Sequence, residues 1–193
     1  MKCIPNFDTT SAFEVRQQHD DWCVLANVEA VTRYHNPTST IAQHVLWQRF
    51  DNARILNGNP NEELGLISFT KQPLSTDEEL RWAHSPQYAP ADTYLSFDRL
   101  VSVLKKGVDE GLPYIISAPL LQLGKWDREN QKWHMLTIVG YDETMFRIYD
   151  SASSKIVRYC DVLQESLHRN LSAANQDVTD SLLLVPNNRR LPK

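Results

Sequence analysis

Four residues are of the right types and spacing to carry acyl transfer. Cys23 is preceded by the polar stretch RQQHDDW. A cysteine in the first turn of a helix sits in the partial positive charge of the helix end, which favours the nucleophilic thiolate. Gln17 and Gln18 lie six and five residues upstream, close enough for one of them to place an amide donor beside the sulfur. A thiolate beside such a donor has half of an oxyanion hole. Far downstream, His134 and Asp150 flank a pair of apolar runs. An imidazole held by a carboxylate is the general base that a thiol nucleophile needs.

These residues must be positioned by elements that the sequence also predicts. From Trp22 to Val31 the apolar residues Trp22, Val24, Leu25, Ala26, Val28, Ala30 and Val31 fall on nearly every side of a helix, so this helix belongs in the interior. Asp20 and Asp21 suit its N-cap and first turn. An alternative use for the two acids is selection of a basic substrate residue. Trp133 to Tyr141 has the β-branched and aromatic character of a strand, Asp142-Glu143-Thr144 reads as a turn, and Met145 to Tyr149 as the return strand. Antiparallel pairing then brings His134 and Asp150 to the same end of the sheet.

The rest of the chain supplies helices first and strands afterwards. Met1 to Val15 reads as an extended arm, and residues 40–51 as a helix with Ile41, Val45, Leu46 and Phe50 inward. A capping-box-like STDEE predicts a short helix to about Ala83, and Ser96 caps an amphipathic helix from Phe97 to about Glu110. Strands are expected over 113–119, 155–159 and 181–185, with a helix over about 161–168. The expected fold is α+β, in one domain: a helical lobe over about 1–111 and a mostly antiparallel sheet lobe over about 112–193, with the site in the cleft between them.

Gln17, five residues, Cys23, then His134 on a strand running to Gly140-Tyr141-Asp142, then Asp150: with the RYHN after the nucleophile helix, this order resembles the papain-like cysteine peptidases. It is closer to the compact bacterial branch, which includes bacteriocin-leader-processing peptidases and avirulence-type protease effectors, than to the plant and lysosomal enzymes. The resemblance covers roughly Val15 to Asp150, and its specific motifs about forty residues. It implies a Cys23–His134–Asp150 triad, and its spacing favours Gln17 over Gln18 as oxyanion donor. It also implies a protein or peptide substrate, a thioester acyl-enzyme and no cofactor. Two departures bear on the shape of the cleft: Val24 follows the nucleophile where many relatives have Gly or Trp, and Asp150 is followed by Ser151 rather than Pro. The same triad serves deamidases and acyltransferases, and a catalytically silent peptide-binding module is the alternative from outside the enzymes.

Composition bounds these readings. The 193 residues are 41% hydrophobic and 23% charged with a formal charge of −4, which gives no basic footprint for nucleic acid. No apolar run approaches the roughly 20 residues of a membrane span. The opening MKCIPNFDTT lacks the basic region and apolar core of a signal peptide, so residence in the cytoplasm or export by a dedicated machine is expected. Three cysteines make no disulfide framework, and Cys3 and Cys160 read as incidental thiols. His35, His44, His84 and His168 lack the paired spacing of a metal site, and His19 reads as a solvated loop or cleft-rim residue. Gln18, Trp22 and Trp133 are candidate substrate contacts, and Trp126 and Trp133 could wall a channel or simply pack. Nothing in the sequence sets an oligomeric state.

Overall fold

The computed structural model describes residues 1–19, 22–48, 80–83, 96–118, 134–152, 159–173 and 182–186, with the backbone alone at 24, 80–83, 117–118, 134, 169–173 and 182–186. An antiparallel sheet runs in the order β2 (Leu80–Ala83), β7 (Leu182–Pro186), β3 (Tyr114–Ala118), β4 (His134–Tyr141), β5 (Met145–Tyr149), β6 (Tyr159–Leu163). A short β1 (Lys2–Cys3) adds to β4 at Gly140 and Tyr141. The helices are α1 (Cys23–His35), α2 over 43–48, α3 (Phe97–Asp109) and α4 (Gln164–Ala173). This is the expected α+β class, although two strands of the sheet come from the first half of the chain.

α1 packs against β4 and β7. Its Leu25, Ala26, Val28, Ala30 and Val31 are all at most 3% exposed, as an all-round apolar helix requires. β4 is buried on both faces: successive side chains alternate sides, yet Met135, Leu136, Thr137, Ile138 and Val139 are all buried. α3 begins with Arg99 N–H donating to Ser96 Oγ and buries Leu100, Val103, Leu104 and Val108. At Gly107 a side chain would strike the Tyr114 ring at 2.5 Å, so only glycine lets α3 approach β3 this closely.

Four expectations are corrected. The Met1–Val15 arm is not simply extended: beyond β1 it turns at Asn6, in the left-handed region, and forms a 3-10 turn at Ala12–Glu14. Ile4 and Phe13 are fully inside the core, so apolar anchors fold this segment inward. Leu80–Ala83 is a strand rather than the end of a helix, because pairing with the distant β7 overrides a local helix signal. Asp161–Leu163 is likewise strand, held by the Arg147–Asp161 ion pair across β5 and β6, and the helix starts later at Gln164. The start of α1 is the fourth: Trp22, not an aspartate, occupies the cap position and makes no side-chain cap bond. Asp20, Asp21, Trp126 and Trp133 lie outside the described residues.

The strand–turn–strand at 134–149 is as expected. Its Gly140-Tyr141-Asp142 motif has a structural use at every position. A side chain at Gly140 would meet the Lys2 carbonyl at 2.8 Å, so glycine admits β1. Tyr141 Oη donates to Asp109 Oδ1 at 2.7 Å. Asp142 Oδ1 accepts the Thr144 and Met145 N–H groups, which builds the turn and holds this carboxyl below its ordinary pKa.

Candidate active site

Cys23 is the first residue of α1 and is 9% exposed. The lead-in before it is fixed along its length. Tyr149 Oη donates to the Val15 carbonyl, and Gln17 N–H donates to the Ser151 carbonyl at 2.7 Å. The chain bearing both glutamines is thereby laid alongside the loop that bears Asp150. Gln17 is 3% exposed, whereas Gln18, at a bend, is exposed. The Gln17 amide nitrogen donates to the His19 carbonyl at 2.6 Å, which sets the plane of the carboxamide. Gln18 N–H donates to Gln43 Oε1 at 3.0 Å.

Asp150 follows the last residue of β5 and is 3% exposed, with Oδ1 accepting the Ala152 N–H at 2.9 Å. Thr137 faces Tyr149 across the hairpin, so Asp150 leaves the sheet at the level of Leu136, two residues from His134. His134 is the first residue of β4 and is paired with Ala118 of β3.

Sequence reasoning passed over Asn27, where the elements meet. This residue is fully buried one helical turn beyond Cys23. Its Nδ2 donates to the Cys23 carbonyl at 2.8 Å and to the Met135 carbonyl at 2.9 Å, and stands 3.3 Å from Ser151 Oγ. Thr137 Oγ1 donates to its Oδ1 at 2.6 Å. The backbones at Cys23 and beside His134, and the Ser151 side chain beside Asp150, thus converge on one side chain. The available signal was polarity: Asn27 and Glu29 interrupt an otherwise apolar interior helix, and a buried polar group must find partners.

Trp22 is half-buried beside the cysteine, stacked on Trp47 of α2 at 5.7 Å between centroids, with the exposed His19 ring 4.2 Å away. These rings make an aromatic border next to Cys23. A recess of about 520 Å³ lined by Tyr34, His35, Glu110 and Gly111 belongs to the opposite end of α1, some 20 Å along a helix of this length, and is not this site. No group of three or more His, Cys, Asp or Glu side chains suited to a metal ion occurs among the described residues. No described helix is long and apolar enough to cross a membrane.

The model of the Peptidase_C39 like family matches residues 10–171, a span from the lead-in through α4. The chain belongs to that family. The match places it among the papain-like cysteine peptidases. Among solved structures it is similar to a protein from Bacillus anthracis assigned as a C39-like peptidase, with a TM-score of 0.59 at 14% identity over 98% of this chain and 100% of the other. At that identity the likeness speaks for the fold. No curated protein matches the sequence.

Proposed function

We propose that this member of the Peptidase_C39 like family is a thiol peptidase acting on proteins or extended peptides, with Cys23 as nucleophile, His134 as acid–base and Asp150 as the carboxylate that orients the imidazole. The observation that supports the reading most is the convergence at Asn27 of the helix start, the first residues of β4 and the loop after β5. In this mechanism His134 takes the Cys23 proton, and the thiolate attacks the peptide carbonyl carbon. The carbonyl electrons move to an oxyanion held by the Cys23 N–H and the Gln17 amide, donors that bind the transition state more tightly than the substrate. The C–N bond then breaks, and protonated His134 passes its proton to the departing amine. Water, deprotonated by His134, attacks the thioester and expels the thiolate. The rings of Trp22 and Trp47 border the cleft and favour an apolar substrate side chain there. The sequence resemblance to leader-processing peptidases and secreted effectors supports a bacterial leader or a host protein as the substrate.

The test is to incubate the protein and Cys23→Ala with a cell proteome and map new N-termini by mass spectrometry. New termini that vanish with Cys23→Ala are expected. Conversion of glutamine to glutamate without new termini would make the protein a deamidase, and no Cys23-dependent product would overturn the enzymatic reading.

A further inference from the structure

A fully buried carboxamide in an interior helix is costly unless every donor and acceptor is used. Asn27 uses both ends. Side chains on a helix lean toward its N-terminus, so Asn27 reaches back to the Cys23 carbonyl at 2.8 Å, and the same nitrogen reaches the Met135 carbonyl at 2.9 Å. The Thr137 hydroxyl, itself fully buried, donates to Oδ1 at 2.6 Å and fixes which end of the amide faces which partner. Two carbonyl oxygens brought to one point repel each other unless a double donor stands between them. Asparagine supplies one; aspartate, serine and leucine do not.

We propose that Asn27 is a positioning residue of the active site, its carboxamide setting the distance between the Cys23 backbone, the His134 end of β4 and, through Ser151, the Asp150 loop. The proposal rests on the triad reading above, and it assigns Thr137 the task of orienting the amide. The consequence is kinetic. Reacting groups tolerate little displacement, a shift of about 1 Å costing on the order of 10²-fold in rate. An apolar residue of similar volume at 27 could preserve packing and still release the helix start from the strand.

The experiment compares wild type with Asn27→Leu, Thr137→Val and Thr137→Ser, all checked for folding by circular dichroism and urea midpoint. The readouts are kcat and KM on a peptide from the proteome screen. The rate of Cys23 alkylation by iodoacetamide at pH 6, relative to Cys160 in the same molecule, needs no substrate. Wild-type Cys23 is expected to label faster than Cys160. Asn27→Leu should lose about 10²-fold in kcat with KM within a few-fold, and its Cys23 labelling should fall toward that of Cys160. Thr137→Val should move both readouts the same way by a smaller factor, and Thr137→Ser should recover most of that loss because it restores the hydroxyl. If Asn27→Leu does not fold, the two Thr137 variants decide. Folded variants with wild-type kcat and labelling would overturn the positioning role while leaving the peptidase reading intact. Wild-type Cys23 that labels no faster than Cys160 would overturn both.

Discussion

A carboxamide can serve an oxyanion only if its N–H points where the oxygen will be in the tetrahedral intermediate. Gln17 is buried beside the Asp150 loop with its amide plane set by His19, whereas Gln18 faces outward. Gln17→Ala should therefore lose about 10²–10³ in kcat, as removal of an oxyanion-hole donor typically does, with Cys23 labelling little changed. Gln18→Ala should stay within a few-fold of wild type. Steady-state kinetics on both decide it: the reverse pattern would move the donor to Gln18, and two mild variants would remove a side-chain donor from the mechanism. Residue type and spacing put forward Cys23, His134, Asp150 and the glutamine pair as candidates. They could not say which glutamine turns inward, because alternation puts neighbours on opposite sides without choosing the side. That choice is made by a bond from Gln17 N–H to Ser151, far along the chain. Asn27 escaped for a related reason: its partners Met135, Thr137 and Ser151 are invisible to any local pattern.

At the scale of elements, the lead-in owes its course to α1 and α2 as well as to the sheet. Gln43 is 1% exposed and grips the lead-in from both sides of Gln17: its Oε1 accepts the Gln18 N–H, and its Nε2 donates to the Arg16 carbonyl at 2.8 Å. Glu29 of α1 backs this grip, accepting from Gln43 Nε2 at 3.0 Å and pairing with Arg33 one turn on at 2.5 Å. A segment outside helix and sheet has few backbone partners, so a side chain that supplies both a donor and an acceptor satisfies groups that would otherwise have none. Gln43→Leu should lower kcat about tenfold by loosening Gln17 and leave Cys23 labelling at pH 6 unchanged, since nothing in the helix start moves. Wild-type kcat in a folded Gln43→Leu would sink this account. Elements with strong local signatures were legible, above all α1, α3 with its Ser96 cap, and the 134–149 hairpin. β1, β2 and the strand-to-helix boundary at Gln164 were not. Each depends on pairing with a remote strand, or, at Gln164, on bonds back to Asp142 and Met145.

Across the whole molecule, the N-terminal segment is bound into the same β4 that carries His134 at its other end. Ile4 N–H donates to Val139 at 2.9 Å, and Phe7 packs edge-on against Tyr159 with centroids 5.0 Å apart. At the surface this attachment closes with Lys2 Nζ 2.7 Å from Asp109 Oδ1, the atom to which Tyr141 also donates. The Lys2 ammonium chiefly, and the Tyr141 hydroxyl after it, hold the Asp109 carboxyl below its ordinary value of 3.8. A carboxyl whose folded pKa is depressed stabilises the fold above its unfolded value and loses that contribution as pH falls through the folded one. Wild type should therefore resist urea slightly better than Asp109→Asn at pH 7. Both partners are largely exposed, so the margin should be small and should shrink in about 1 M salt. As pH falls below about 3.8 the margin should fade, because Asp109 then becomes neutral like its replacement. Urea midpoints of the two proteins from pH 7 down to about pH 2 check the sign. A margin that stays constant across that range would mean the Lys2–Asp109 pair does not help to fasten the N-terminal strand.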